Sequence, residues 1–210
     1  VNKSKYVQYG CGWSAPNGWQ NFDASPTLRF ERLPFIGRLH TKNKSRFPNN
    51  IEWGDIIKGL PLPQNSCKGV YCSHILEHLS LNDFRIALRN TIKILEPGGI
   101  FRLVLPDLEL SVRNYIENPS NDASLEFMNE TSLGHETRAR GFKGLLKVWL
   151  GNNLHLWMWD YKSIKLELEH AGFIEVRRAT IGDSYDSYFG TVEELGRWEN
   201  CLGVECRKLG

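Results

Sequence analysis

The run Tyr6-Val7-Gln8-Tyr9 empties into a glycine turn, Gly10-Cys11-Gly12, and a second β-rich run, Trp19-Gln20-Asn21-Phe22, follows and ends on Asp23. Strand, glycine turn, strand and carboxylate describe the edge of an α/β sheet, where backbone can approach a ligand closely. A carboxylate at the end of the neighbouring strand is placed to accept hydrogen bonds from a sugar diol. Only Trp13-Ser14-Ala15-Pro16-Asn17-Gly18 joins the turn to the second strand. Parallel crossovers normally take about a dozen residues, and Pro16 with Asn17-Gly18 favours turns. The first helix of an α/β unit is therefore expected to be reduced to a turn or lost.

Beyond Asp23 the pattern alternates. A helix is expected near 26–33, then a solvated loop carrying Arg38, Lys42, Lys44 and Arg46 after Arg29 and Arg32, with a patch for an acidic substrate as the alternative. Ile51-Glu52-Trp53 reads as a short strand before Gly54-Asp55, and Gly69-Val70-Tyr71-Cys72 as a buried strand emptying into Ser73-His74. Ser80 and Asp83 approximate a capping box before a helix whose Phe84, Leu88, Thr91, Ile92 and Leu95 share one face. Pro97-Gly98-Gly99 is expected to stop that helix, and Ile100–Leu105 to form the next strand, closed by Pro106-Asp107. A later helix starts at Asp160 or Ser163 and stops at Gly172, and strands follow at Phe173–Ile181 and Cys201–Leu209.

This order predicts a single α/β domain over 1–210, a Rossmann-like, doubly wound, mostly parallel sheet with an antiparallel last strand. Ligands of such sheets bind beyond the carboxyl ends of the strands. Those ends here are Gly10–Gly12, Asp23, Asp55, Ser73–His74 and Pro106–Asp107. The interval at about 111–160, with Trp149, Trp157, Trp159, His135 and His155, does not fit simple alternation. It reads as a helical insertion, either a lid over the ligand edge or an extra packing layer.

Bulk properties exclude more than they select. The chain has 210 residues, 41% apolar and 24% charged, with a net charge of +2. That balance gives no electrostatic case for a dedicated nucleic-acid binder. No apolar run approaches the roughly 20 residues that cross a bilayer, and no signal-peptide pattern opens the chain, so a cytoplasmic location is expected. The cysteines (11, 67, 72, 201 and 206) form no C-x-x-C pair, which argues against a zinc site and a disulfide framework. Cys11 reads as a small residue filling the glycine turn.

Taken in order, Tyr9-Gly10-Cys11-Gly12, Asn21-Phe22-Asp23, Gly54-Asp55, Ser73-His74-Ile75-Leu76-Glu77-His78-Leu79 and Leu95-Glu96-Pro97-Gly98-Gly99 resemble the class I S-adenosylmethionine (SAM) methyltransferases, in particular the methyltransferase type 11 group. His155-Leu156-Trp157-Met158-Trp159-Asp160 and Ala171-Gly172-Phe173 look like the same group's second half. The resemblance implies that Tyr9, Gly10, Cys11 and Gly12 meet the amino-acid end of SAM. It implies that Asp23 holds the ribose, flanked by Ala24 and Ser25. Asp55 and Ile56 would meet the adenine, and Ser73, His74 and His78 would line the floor near the sulfonium. The lost first helix departs from the group's pattern and bears on the methionine end of the site.

Methyl transfer to oxygen or nitrogen often needs a base titrating near neutrality. His74, Asp107 and His155 are the catalytic candidates. Asp107 could instead cap a helix starting near Leu108, and His78 could satisfy a structural hydrogen bond. His135 is the least anchored histidine. His74-Ile75-Leu76-Glu77-His78 also matches the inverted zinc-peptidase pattern H-x-x-E-H, but it follows a buried strand and lacks an obvious third ligand, so no metal is expected; the alternative is a divalent ion, since some methyltransferases carry a similar acid-x-x-Glu-His pattern, with His74 here in place of the first acid.

The expected function is methyl transfer from SAM, with S-adenosylhomocysteine as product, to a small-molecule or glycan acceptor. Partners beyond that are expected to be neither membrane nor nucleic acid, and the chain a monomer or homodimer. A non-catalytic SAM- or nucleoside-binding protein, an NAD-type oxidoreductase and an RNA methyltransferase using the 29–46 basic segment are the rivals.

Overall fold

The computed structural model describes residues 6–35, 37, 46–134 and 154–210. They form a seven-stranded sheet in the order β3-β2-β1-β4-β5-β7-β6. Strands β1 (Tyr6–Tyr9), β2 (Trp19–Asp23), β3 (Ile51–Trp53), β4 (Cys67–Ser73) and β5 (Leu95–Pro106) run parallel. β7 (Cys201–Lys208) is antiparallel to both β5 and β6 (Phe173–Ala179).

Side chains alternate across the pleat, so each strand feeds two cores. Val7, Tyr9, Val70, Cys72, Phe101 and Leu103 pack on α2 (Leu81–Ile94) and α5 (Tyr161–His170) through Phe84, Leu88, Ile164 and Leu168. Ser80 caps α2 as its sequence predicts: its hydroxyl accepts from the Asp83 amide and donates to the Asp83 carboxylate at 2.8 Å. Asp160 caps α5 by accepting from the Ser163 amide at 2.8 Å, and Gly172, at φ +96°, follows its end.

The opposite face is built differently. No helix joins β1 to β2, as the six residues between the glycine turn and β2 foretell. Two buried polar side chains in register, Gln8 and Asn21, hold that short connection. The Gln8 amide donates to the Asn21 side chain at 2.6 Å and to the Ser14 carbonyl at 2.8 Å. The surface a first helix would cover is covered instead by the β6–β7 connection, residues 180–200. Its Phe189, Val192 and Trp198 pack on Trp19, Tyr71, Ile100 and Val104. Trp19 Nε1 donates to Thr191 Oγ1 at 2.9 Å, and Tyr6 donates to Asp186 at 2.6 Å. Gly18 makes room for the Tyr188 hydroxyl, which would stand 2.0 Å from a Cβ at that position.

Arg102 fastens the same connection from within the sheet. Its fully buried guanidinium donates to Glu193, to Asp183 at 3.0 Å, to Glu205 at 3.1 Å and to the Thr180 carbonyl at 2.6 Å. Such a charge is tolerated in an interior only when its donors are matched in this way. At the β3 edge, α1 (Pro26–Glu31) adds a third small core in which Leu28 meets Cys11, Phe47 and Ile51.

One local expectation needs correction. Pro97-Gly98-Gly99 does not stop α2, which ends at Ile94; these residues lie inside β5 as an irregularity, where pairing passes from Cys67–Leu95 to Gly69–Ile100. Gly98 at φ +76° supplies the turn that a bulge needs. Asp107 caps α3 (Leu108–Glu117), the alternative its position offered, and α4 (Ala123–Glu130) follows. Trp159 belongs to the core rather than to a cover: it is 2% exposed, with its ring 4.3 Å from Phe84. His135, Trp149, Arg38, Lys42 and Lys44 lie outside the described residues. Among the described residues no helix is long and apolar enough to cross a membrane.

Candidate active site

The strand order reverses between β1 and β4, and the glycine turn leaves one while Ser73-His74 leaves the other. This switch point is where open α/β sheets form their ligand crevice. Gly10 and Gly12 both have positive φ, +65° and +56°. A side chain at Gly10 would also collide with Ile75, whose Cγ1 lies 2.0 Å from a Cβ built there.

Asp23 is 8% exposed, and each of its oxygens holds one backbone amide: Gly12 at 2.9 Å and Ser25 at 2.7 Å. A carboxylate oxygen carries a second lone pair, so both remain able to accept from a diol. Burial raises the Asp23 pKa, and the Gly12 and Ser25 amides oppose that rise. Ser25 caps α1 through the Thr27 amide at 3.2 Å, while Ala24 is exposed beside it. Tyr9 sends its side chain into the core, where its hydroxyl accepts from Thr91 at 3.3 Å, so it offers the site only backbone. Cys11 is buried, and burial pushes its thiol up to about 12, with Asp23 adding to the shift. It is a filler of the turn at neutral pH.

Beyond β3, Asp55 accepts from the Ile57 amide at 3.0 Å and faces Lys58 at 3.6 Å. Ile56 is buried, and its carbonyl accepts from Asn90 at 2.7 Å, which fixes this loop to α2.

His74 sits at φ +55° with Nε2 2.9 Å from the Arg197 carbonyl and Nδ1 3.5 Å from Glu77. The Cys201 thiol at 3.6 Å and the Glu77 carboxylate raise its pKa to about 10, the Arg197 carbonyl adding to them. A histidine so held is charged at neutral pH and a poor proton acceptor. Asp107 is likewise committed: it accepts from the Glu109 and Leu110 amides at 2.9 and 3.4 Å and faces Arg178 at 3.6 Å.

His78 makes a structural bond, with Nδ1 2.9 Å from the Leu154 carbonyl. The Glu77 carbonyl accepts from Leu156 and Trp157 amides at 2.7 and 3.1 Å, so the returning segment docks here. The docking brings His155 beside His78, with ring centroids 5.1 Å apart. Among the described residues His155 Nδ1 has no hydrogen-bond partner, and the buried Glu77 carboxylate has the His74 and His78 rings near it, at 3.5 and 3.9 Å. Burial lowers the His155 pKa, which keeps the ring neutral. Glu77, His78 and His155 thus place one ligand atom each within 4.8 Å of one another. His155 joins this cluster from far along the chain, whereas His74, the first histidine of the H-x-x-E-H pattern, lies outside it.

Arg197, which sequence reasoning missed, lies beside the glycine turn. Its Nη1 donates to the Ser73 carbonyl at 3.2 Å, and Nη2 would stand 3.8 Å from a Cβ at Gly12. No local signal marks it; it matters because residues 180–200 fold back under the turn.

The strand order, with the glycine turn and Asp23 at its switch point, defines the class I methyltransferase fold. Residues 10–176 match the model of a methyltransferase domain, and the chain belongs to that family. The narrower type 11 grouping rests on the sequence resemblance alone. Among solved structures, a SAM-dependent methyltransferase of Thermotoga maritima, described as a possible histamine N-methyltransferase, is similar at 15% identity and a TM-score of 0.51, covering 99% of this chain and 84% of that one. A putative methyltransferase of Haloferax volcanii, solved with the Trm112 methyltransferase activator, is similar at 15% identity and a TM-score of 0.50, covering 98% and 82%. At such identities the likeness is one of fold. No curated protein matches the sequence.

Proposed function

We propose that the protein is an enzyme that transfers the methyl group of SAM to oxygen or nitrogen of a small-molecule or glycan acceptor and releases S-adenosylhomocysteine. The observation that carries this reading is the Asp23 carboxylate bonded to the Gly12 amide at the sheet's switch point. Asp23 would accept from the ribose hydroxyls, Asp55 from the adenine amine, and the Gly10–Gly12 backbone would pass along the methionine portion. SAM brings its own electrophile, so the protein's task is to align a nucleophile with the methyl carbon. An NAD site would need a helix N-terminus for the pyrophosphate. Residues 13–18 provide none, which favours SAM.

Among the three catalytic candidates, His155 fits a base best. Its ring is neutral and, among the described residues, Nδ1 has no partner, whereas His74 is charged and Asp107 is a cap. The convergence of Glu77, His78 and His155 favours a second reading, in which these three side chains hold a divalent cation. Loss of activity in a chelator, restored by a divalent metal, would favour the second reading; a chelator-insensitive enzyme inactivated by His155→Asn would favour the first. The methyltransferase reading itself is tested by calorimetric titration with SAM, S-adenosylhomocysteine and NAD, followed by an acceptor screen with methyl-labelled SAM.

A further inference from the structure

An α/β site of this kind usually gains positive potential from the helix that follows its first strand, because backbone amides and the helix dipole face the ligand there. This chain has no such helix: Trp13–Gly18 form turns only. The methionine portion of SAM nevertheless ends in a carboxylate, which needs a cation or several donors when it leaves water.

We propose that Arg197, carried by the β6–β7 connection, takes over that task and binds the carboxylate of the cofactor's methionine portion. The inference rests on the SAM reading above. Gln8, Ser14, Tyr71, Ser73 and Arg197 give polar side chains to one narrow cleft, of about 10 Å³, under the glycine turn.

The guanidinium is held in place yet keeps free donors. Nη1 bonds the Ser73 carbonyl, and the Arg197 carbonyl meets His74 Nε2 at 2.9 Å, which fixes the backbone that bears it. The nearest carboxylate, Glu194, stands 3.8 Å from Nε and is half exposed, so it competes weakly. Nη2 faces Gly12, where the turn has no side chain to block a ligand. The segment that replaced the first helix in packing thereby also replaces it in charge.

The test compares SAM with decarboxylated SAM, which keeps the sulfonium and the amine but lacks the carboxylate. Wild type and Arg197→Gln, both checked for folding by circular dichroism, are titrated with each. The expected result is that the substitution weakens SAM by about 10- to 100-fold, the range of a hydrogen-bonded charge pair, and leaves decarboxylated SAM unchanged. Arg197→Lys, a point charge without the planar fork, should recover part of the loss. Equal weakening of both ligands would make Arg197 a structural residue and overturn the proposal, as would unchanged SAM affinity. Failure of the wild type to bind either ligand would instead overturn the SAM reading on which the proposal stands.

Discussion

The Asp23 carboxylate accepts a 2.9 Å hydrogen bond from the Gly12 amide and so ties the end of β2 to the turn that leaves β1. One side chain both shapes the turn and presents its remaining lone pairs to a ligand. Asp23→Ala should therefore weaken SAM by about 1–3 kcal/mol, the cost of unpaired polar groups in a closed site. It should also lower the unfolding midpoint, because the Gly12 and Ser25 amides lose their acceptor. Asp23→Asn, which keeps one acceptor oxygen, should fall between. Calorimetry and thermal unfolding of the same samples check both effects.

Gly10 carries two constraints that can be separated by mutation. Gly10→Ala meets Ile75 and places a side chain at φ +65°. Strain of the left-handed backbone alone costs roughly 1–2 kcal/mol, and overpacking adds about 1–3 kcal/mol. Trimming the neighbour in the double variant Gly10→Ala with Ile75→Ala should relieve the second part only. Denaturant unfolding of the two variants against Ile75→Ala measures the coupling.

The Arg102 cluster predicts an acid-sensitive connection under the site. Burial works against ionisation of Asp183, yet Arg177, the Thr180 backbone and Arg102 together hold its pKa down to about 2, below the usual 3.8 of an aspartate. A depressed folded pKa stabilises the fold above the unfolded value and is lost as pH falls through the folded one. Stability should thus decline between about pH 4 and pH 2, and Asp183→Asn should flatten that part of the profile. Unfolding midpoints of both proteins across the acid range give the comparison.

Cysteine labelling reports on packing around the turn. Cys11, Cys67, Cys72 and Cys206 are buried, whereas Cys201 is partly exposed. Iodoacetamide at mildly alkaline pH should label Cys201 in the native protein and reach the other four only on unfolding. Mass spectrometry of digests reads the positions, and native labelling of Cys11 would contradict the closed turn described here.

The parallel strands, α2 with its Ser80 cap, α5 with Asp160 and Gly172, and the lost first helix were legible because each rests on local chemistry. Six residues containing Pro16 and Asn17-Gly18 cannot make a crossover helix, whatever lies elsewhere. The cover over the exposed face was not legible, because its residues are separated from Trp19 by most of the chain. Phe189, Val192 and Trp198 carry no helical or strand period that would announce their partner. Arg197 and the Gln8–Asn21 pair were missed for the same reason: their roles come from what folds over them. His74 shows the limit from the other side. Its place after β4 suggested a base, but the Arg197 carbonyl, Glu77 and Cys201 that tie it down meet only in the folded chain. Pro97-Gly98-Gly99 read as a helix stop because such residues punctuate; that they form an irregularity within β5 depends on pairing with β4.

The central claim is that this turn, with its missing helix, still holds SAM. Calorimetric titration of the purified protein with SAM and S-adenosylhomocysteine, with NAD beside them, tests it most directly. Binding of both sulfur ligands at about micromolar dissociation constants, with none to NAD, is the predicted result. A folded protein that binds neither sulfur ligand, or that binds NAD in their place, would contradict it.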